Sequence, residues 1–369
     1  MFLSVLAVVF TFGLVIFLHE FGHFILCKVL KVRVERFAFG FGPEIFGFTK
    51  GETRFSICAL PLGGFVKPAG ENMEECTGNP EEYFSKPWHQ RFFIVAAGPV
   101  MNYVLAFLLF TGVIYIMGEP RPSTLPIIGE AVEGYPAKSA GLKEGDRILD
   151  VNKNKIQSWE EMAKKIHNSL NKPVTLTIER LEKKSQPPAP NSKPQVFKVT
   201  LTPRPDPTGK IGMIGVSPKI EYRPVTFFHA VKEGVNQCYH WTAVTVTTLA
   251  SKIYKRERPD LAGPIGIVQI VSRAAHSGLE DLIFLIALIS VAVGFFNILP
   301  IPLLDGGHAA LYLWEGLSGK KLTEKMVRVA NSFGIAILLS IFIFATYSDI
   351  VRIRSQNKQT VPSETQNKP

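Results

Sequence analysis

The sequence predicts a polytopic α-helical membrane protein of about four transmembrane helices, with a membrane-associated β element and one α+β domain inserted between the second and third spans. Three observations carry this. Four charge-free apolar runs are each long enough to cross the hydrocarbon core, which takes roughly 20 helical residues. Between the second and third runs the chain turns polar, proline-rich and patterned for strands. Hydrophobic residues make up 46% of the 369 and are segregated from the charged ones, as in a chain divided between lipid and water.

The formal net charge of +10 is spread through loops, without the clustered basic face and interleaved aromatics that nucleic acid would need. Nucleic acid is therefore excluded as a partner, and the lipid bilayer with its anionic headgroups is the better one. Cys27, Cys58, Cys76 and Cys238 are scattered, with no C-x-x-C pair, and argue neither a zinc ribbon nor a disulfide framework. The N-terminal run lacks the basic leader and small-residue cleavage site of a secretory signal.

Residues 1–27 form the first span. Met1 to Leu18 carries no charge and runs straight into His19-Glu20-Phe21-Gly22-His23, so ionisable groups arrive at membrane depth. There they are costly unless they face a cavity, pair, or bind a metal. Residues 28–91 form a charged segment. In it, Phe39-Gly40-Phe41-Gly42-Pro43 reads as a glycine-punctuated turn. Arg54 to Lys67, which includes Leu60, Gly63 and Gly64, reads as a short β element, too apolar for a solvated loop and too rich in Pro and Gly for a helix. Such backbone dips into a membrane only where protein covers it or water reaches it; a strand in a small soluble cap is the alternative. Residues 92–117 are the second span, and Asn102 in its Gly98-Pro99-Val100-Met101-Asn102 stretch suits a hydrogen bond to a neighbouring helix as well as an active-site role.

Residues 119–224 read as a domain of their own. Val174 to Glu179 and Phe197 to Leu201 alternate with period two, marking half-buried strands, and the Lys183 to Pro194 stretch between them has the composition of a mobile loop. Trp159 to Leu170 carries apolar residues at helical spacing. Residues 227–280 are an interfacial helical region: Gly234 to Ser251 lacks charge but is too polar for a comfortable lipid-facing span, with a fifth span as the alternative. Residues 282–305 are the third span, ending in Asn297-Ile298-Leu299-Pro300-Ile301-Pro302-Leu303-Leu304-Asp305-Gly306. Pro300 and Pro302 should break the helix there, and irregular backbone at that depth implies a protein-lined or watery cavity. Residues 329–348 are the fourth span, and residues 355–369 a polar, disordered tail.

Four alternating spans put residues 28–91 and the loop from Gly306 to Arg328 on one side, and the inserted domain with both termini on the other. Lys320, Lys321, Lys325 and Arg328 favour the cytoplasm for the first side, while Arg352 and Arg354 pull the other way.

On a helix, His19 and His23 stand one turn apart on one face, so both imidazoles can reach one metal ion, with Glu20 beside them to take a proton from a water at that metal. A catalytic zinc wants three protein ligands and an open position. Asp305 is the only acidic residue at similar depth, and His308 is the competing ligand. Zn2+ held by His19, His23 and Asp305, with Glu20 shuttling the proton, implies peptide-bond hydrolysis in a membrane-embedded cavity.

These three motifs, on three of the four spans and in this order, resemble the site-2 protease family of intramembrane zinc metalloproteases, and its bacterial regulator of sigma-E protease branch most closely. The resemblance implies that Asp305 is the third ligand, that Asn102 and Asn297 lie near the active site, that Pro300 and Pro302 keep the neighbouring backbone extended, and that Arg54 to Lys67 holds substrate as an added strand. Gly134-Tyr135-Pro136-Ala137-Lys138-Ser139-Ala140-Gly141-Leu142-Lys143-Glu144-Gly145-Asp146-Arg147-Ile148, with the later Ile211-Gly212-Met213-Ile214-Gly215, is similar to the PDZ domains of bacterial proteases, here in a single copy. The expectation is a protease of single-span transmembrane substrates, such as an anti-sigma factor or a signal-peptide remnant. It would sit in the bacterial inner membrane with its active site towards the cytoplasm and a peptide-binding PDZ-like domain on the periplasmic side. Rival readings are a PDZ-bearing adaptor with a structural metal site and a metal or proton transporter; the transporter would want ionisable groups on the second and fourth spans, which offer none.

Overall fold

The structure is a computed structural model that describes residues 2–180, 194–206, 209–255 and 263–359. It divides into two units, one built from Met1–Ile114 with Thr226–Pro369 and the other from Tyr115–Val225.

In chain order, the first unit opens with α1 (Phe2–Val29), whose run of apolar residues continues as helix through the His and Glu positions. A hairpin follows, β1 (Val34–Lys50) and β2 (Thr53–Pro68), turning at Gly51 with φ of 63°. Both strands bend, so that Phe37 pairs with Val66 on one side and Phe55 on the other. The first half of β1 is thus flanked by the two halves of β2, and the Gly64–Pro68 half lies at the sheet's edge. The turn expected at Phe39 to Pro43 is instead inside β1. Gly40 and Gly42, at φ of 90° and 86°, supply left-handed backbone where the pairing register slips, which bends the strand without reversing it. Then comes α2 (Trp88–Met117), longer at its start than the uncharged run.

The second unit holds β3 (Glu119–Pro122), β4 (Ile128–Ala131), α3 (Pro136–Ser139), β5 (Arg147–Val151), β6 (Asn154–Lys155), α4 (Trp159–His167), β7 (Val174–Arg180), β8 (Gln195–Leu201), β9 (Arg204–Pro205), β10 (Gly212–Met213), β11 (Val216–Pro218) and β12 (Ile220–Arg223). Its main sheet is ordered β6-β5-β7-β8, and the pairs β4 with β11 and β3 with β12 bring the two ends of the unit together. Ile148, Met162, Leu176 and Ile178 fill the core between sheet and α4. Ser158 caps α4 by accepting from the Glu161 amide, and the helix stops at His167, short of Leu170. Nearly all of the expected loop from Lys183 to Pro194 lies outside the described residues.

The first unit resumes with α5 (Phe227–Lys255), α6 (Pro264–Ser277), α7 (Leu279–Ile298), α8 (Asp305–Ser318) and α9 (Glu324–Gln359). Among the described residues, α1, α2, α7 and α9 are long and apolar enough to cross a membrane, by length and composition. Two more expectations are corrected. The stretch after Asp305 is a helix, because Gly306 and Gly307 let it fold back against Ile298 and Ile301, where any side chain would collide with backbone. The helix of the last span runs on to Gln359, past the expected start of a disordered tail at residue 355, and the rest of that tail lies outside the described residues.

Close packing places the site. A Cβ on Gly22 would sit 2.8 Å from the Ala97 carbonyl carbon, so α1 and α2 touch backbone to backbone. Ala106 and Phe110 of α2 pack with Ala287 and Val291 of α7, covered in part by Trp241 of α5.

Candidate active site

One turn of α1 separates His19 from His23, and both imidazoles point to Asp305, the first residue of α8. His19 Nε2 is 3.0 Å from Asp305 Oδ2, His23 Nε2 is 3.5 Å from the same oxygen, and the two Nε2 atoms are 3.3 Å apart. A tetrahedral ion with bonds of about 2.0–2.1 Å has ligand atoms roughly 3.3 Å apart, so this triangle has the dimensions of three ligands around one zinc ion with the fourth corner open. Asp305 Oδ2 is buried without a hydrogen-bond partner, as expected of an atom awaiting a cation. His308, the competing ligand, lies outside the triangle; it faces the same cavity and stacks on Tyr312.

The atoms behind the triangle orient it. His23 Nδ1 donates to the Ile94 carbonyl at 2.8 Å, which leaves Nε2 free as a ligand. The Asn102 carboxamide lies 3.0 Å from His19 Nδ1. As placed, its nitrogen faces the ring while Oδ1 is buried without a partner. With the two atoms exchanged, Oδ1 accepts from His19 Nδ1–H, which fixes His19 in the tautomer whose Nε2 can bind metal. Asn102 is fully buried, and its carbonyl accepts from Ser290 Oγ of α7 at 2.8 Å. Gly98 is the residue that sequence reasoning missed. A Cβ there would lie 2.6 Å from His23 Cε1 and 2.8 Å from His19 Cε1, so only glycine lets α2 back against both rings. The signal was present: Gly98 and Asn102 share one helix face.

Asp305 is delivered by a broken helix. α7 ends at Ile298, residues 299–304 are unwound around Pro300 and Pro302, and Leu303 adopts φ of 78°, a left-handed conformation unusual for leucine. Asn297 does not join the triangle; its Nδ2 donates to the Val293 carbonyl of its own helix.

Glu20 lines a cavity of about 930 Å³ together with His19, His23, Asp305, Val66 and Lys67. The Val66 amide faces its carboxylate. Gly64 lies against its Cγ, which a Cβ there would meet at 3.4 Å. Leu60 and Gly63 do not reach the cavity: Leu60 is exposed, and Gly63, at φ of 138°, packs under the Phe41 ring. Glu71, at the cavity's mouth, has its carboxyl pushed up to about 7, by desolvation first and then by the neighbouring Glu20 carboxylate. Beneath the site, Arg91 of α2 pairs with Glu315 of α8 at 2.7 Å and lies over the Tyr312 ring, whose hydroxyl accepts from Tyr83 at 3.1 Å, so the helix bearing Asp305 is tied to the helix behind the histidines.

Residues 7–341 match Peptidase family M50. The chain belongs to that family. Among its relatives, a protein of Clostridium acetobutylicum with a provisional zinc-metalloprotease name is 34% identical over 95% of this chain and 98% of its own length. The zinc metalloprotease RasP of Geobacillus kaustophilus is 27% identical over 94% of this chain and 97% of its own. The Enterococcus faecalis protein named as the protease Eep, also provisionally, is 26% identical over 95% and 99%. As an M50 peptidase of the site-2 protease type, this membrane-integral protein is a zinc metalloendopeptidase, and its cofactor is Zn2+.

Proposed function

We propose that this M50 peptidase hydrolyses peptide bonds within or near the transmembrane segments of single-span proteins, with His19, His23 and Asp305 holding the zinc ion and Glu20 moving the proton. The observation that carries this reading is the donor triangle, built from α1 and the first residue of α8 and opening on a cavity that Glu20 lines. When bound, the ion polarises the scissile carbonyl and makes a water acidic enough to attack near neutral pH. Glu20 takes the proton of the attacking water and delivers it to the leaving amine nitrogen. Asn102 and Ile94 hold the imidazoles in the ligating tautomer.

A transmembrane helix hides its peptide bonds in its own hydrogen bonds, so cleavage requires a local unwinding. The edge half of β2, with Phe65, Val66 and Lys67 lining the cavity, offers replacement partners by strand addition. Pro300 and Pro302 keep the backbone before Asp305 extended, and from that stretch Leu303 lines the cavity. The unit from Tyr115 to Val225 is read as a single PDZ-like domain that binds a peptide segment of substrate or partner. The membrane is read as the bacterial inner membrane, with the active site towards the cytoplasm and this unit on the periplasmic side. Substrates of this chemistry include an anti-sigma factor trimmed by another protease and a signal-peptide remnant.

The test is cleavage of a tagged one-span protein by purified, zinc-loaded protein. Glu20→Gln should abolish cleavage while retaining one zinc ion per chain. Cleavage by that variant, or a wild type without stoichiometric zinc, overturns the reading.

A further inference from the structure

Asn331, on α9, is a polar residue in an apolar span that nothing above uses. It lines the same cavity as His19, Glu20, His23 and Asp305. Its Oδ1 is buried without a hydrogen-bond partner, and its amide nitrogen makes no hydrogen bond among the described residues. Burying a carboxamide oxygen unpaired is costly, more so away from bulk water. Its position is held closely: one turn later Gly334 abuts the unwound segment before Asp305, where a Cβ would sit 2.6 Å from the Pro302 carbonyl carbon and 3.0 Å from Leu303 Cβ. Residues three apart share a helix face, so this contact keeps Asn331 turned to the side of the metal ligands.

We propose that Asn331 is a substrate-binding residue whose carboxamide pairs with a backbone peptide group of the unwound substrate. A carboxamide presents one acceptor and a donor pair in a plane, the same complement that an exposed peptide bond offers, and it can exchange the two by rotating. An unwound segment laid along the edge of β2 satisfies the groups on one side of its backbone only, because successive peptide groups alternate in direction. The groups pointing away need another partner, and in the cavity Asn331 carries the unpaired amide that fits them. Selectivity follows from this: the residue recognises an extended chain of any sequence and ignores a closed helix, whose peptide groups are already paired.

This inference rests on the intramembrane-protease reading, and its test separates the two. Purified full-length protein, zinc-loaded in detergent, is titrated calorimetrically with two probes: a peptidyl hydroxamate, which carries a metal-binding group and a peptide backbone, and acetohydroxamate, which carries the metal-binding group alone. Asn331→Ala should weaken the peptidyl hydroxamate roughly three- to tenfold, the range for one lost neutral hydrogen bond, and leave acetohydroxamate within twofold. Asn331→Ser, which keeps a polar group but shortens the reach, should behave like the Ala variant and serves if that variant loses zinc. Equal weakening of both probes assigns Asn331 to the support of the metal ligands and overturns the proposal, as does no change in either. If the wild type binds neither probe and cleaves no membrane substrate, it is the protease reading that fails.

Discussion

Replacing Gly98 by alanine tests the site most directly, because the residue touches no substrate and bears no chemistry. The added methyl would lie 2.6 Å from His23 Cε1 and 2.8 Å from His19 Cε1, where ordinary contact begins at 3.4 Å. His23 must therefore retreat by about 0.8 Å, several times the roughly 0.2 Å tolerance of a metal-ligand distance. Zinc affinity should fall about 10- to 100-fold, or about 1.4–2.7 kcal/mol. Stability should change less, because overpacking of about 1–3 kcal/mol is offset by the gain of about 1 kcal/mol from replacing a helical glycine. Gly112 on the same helix has nothing within 4 Å of its Cβ position, so Gly112→Ala is the control that keeps zinc. The assay is zinc competition against a chromophoric chelator, alongside thermal unfolding of each variant. A Gly98→Ala protein that holds zinc within threefold of wild type would refute the geometric argument.

Two further outcomes are expected. Arg91 is buried and its partner Glu315 largely so, and Arg91→Leu alone should therefore destabilise the protein by about 3 kcal/mol, while the double variant with Glu315→Leu should recover most of that in thermal unfolding. Glu82 organises the segment at residues 76–79: the Thr77 hydroxyl first, with the Cys76 thiol and the Gly78 and Thr77 amides, holds its carboxyl down to about 2 from an ordinary 4.5. A lowered carboxyl contributes stability in full above its unfolded value and loses it as pH falls towards the folded one. Limited proteolysis at that segment should therefore be slow at pH 6, faster at pH 3, and independent of pH over that interval in Glu82→Gln.

The metal-binding pattern was legible because it depends on local spacing: His19 and His23 meet one ion on any helix, and the prolines at 300 and 302 announce a break wherever they fall. Asp305 stood out as the only acidic residue at similar depth, with His308 left as its competitor until the family resemblance favoured Asp305. Of the supports, Asn102 was legible as a polar residue in an apolar span, but Gly98 and Asn331 were not assigned a role, because each acts through a contact between distant elements. Gly98 matters through two rings on another helix, and Asn331 through a cavity that α9 reaches from the far end of the chain. β1 was misread because its Phe and Gly alternate around register slips that only pairing with both halves of β2 reveals. α8 was missed because Gly306 and Gly307, poor helix formers, are required there by the backbone lying against them.

The placement of Asp305 on α8, behind an unwound strap, has a consequence for how the molecule comes into being. Synthesis delivers α1, the hairpin and α2 first, so on the proposed ligand set both imidazoles are made while the carboxylate that would complete them is still unmade. Two histidines alone are a weak site for zinc, since a catalytic site takes three protein ligands. On the proposed ligand set, hydrolytic competence therefore arrives late in synthesis, only once the chain has been made through Asp305.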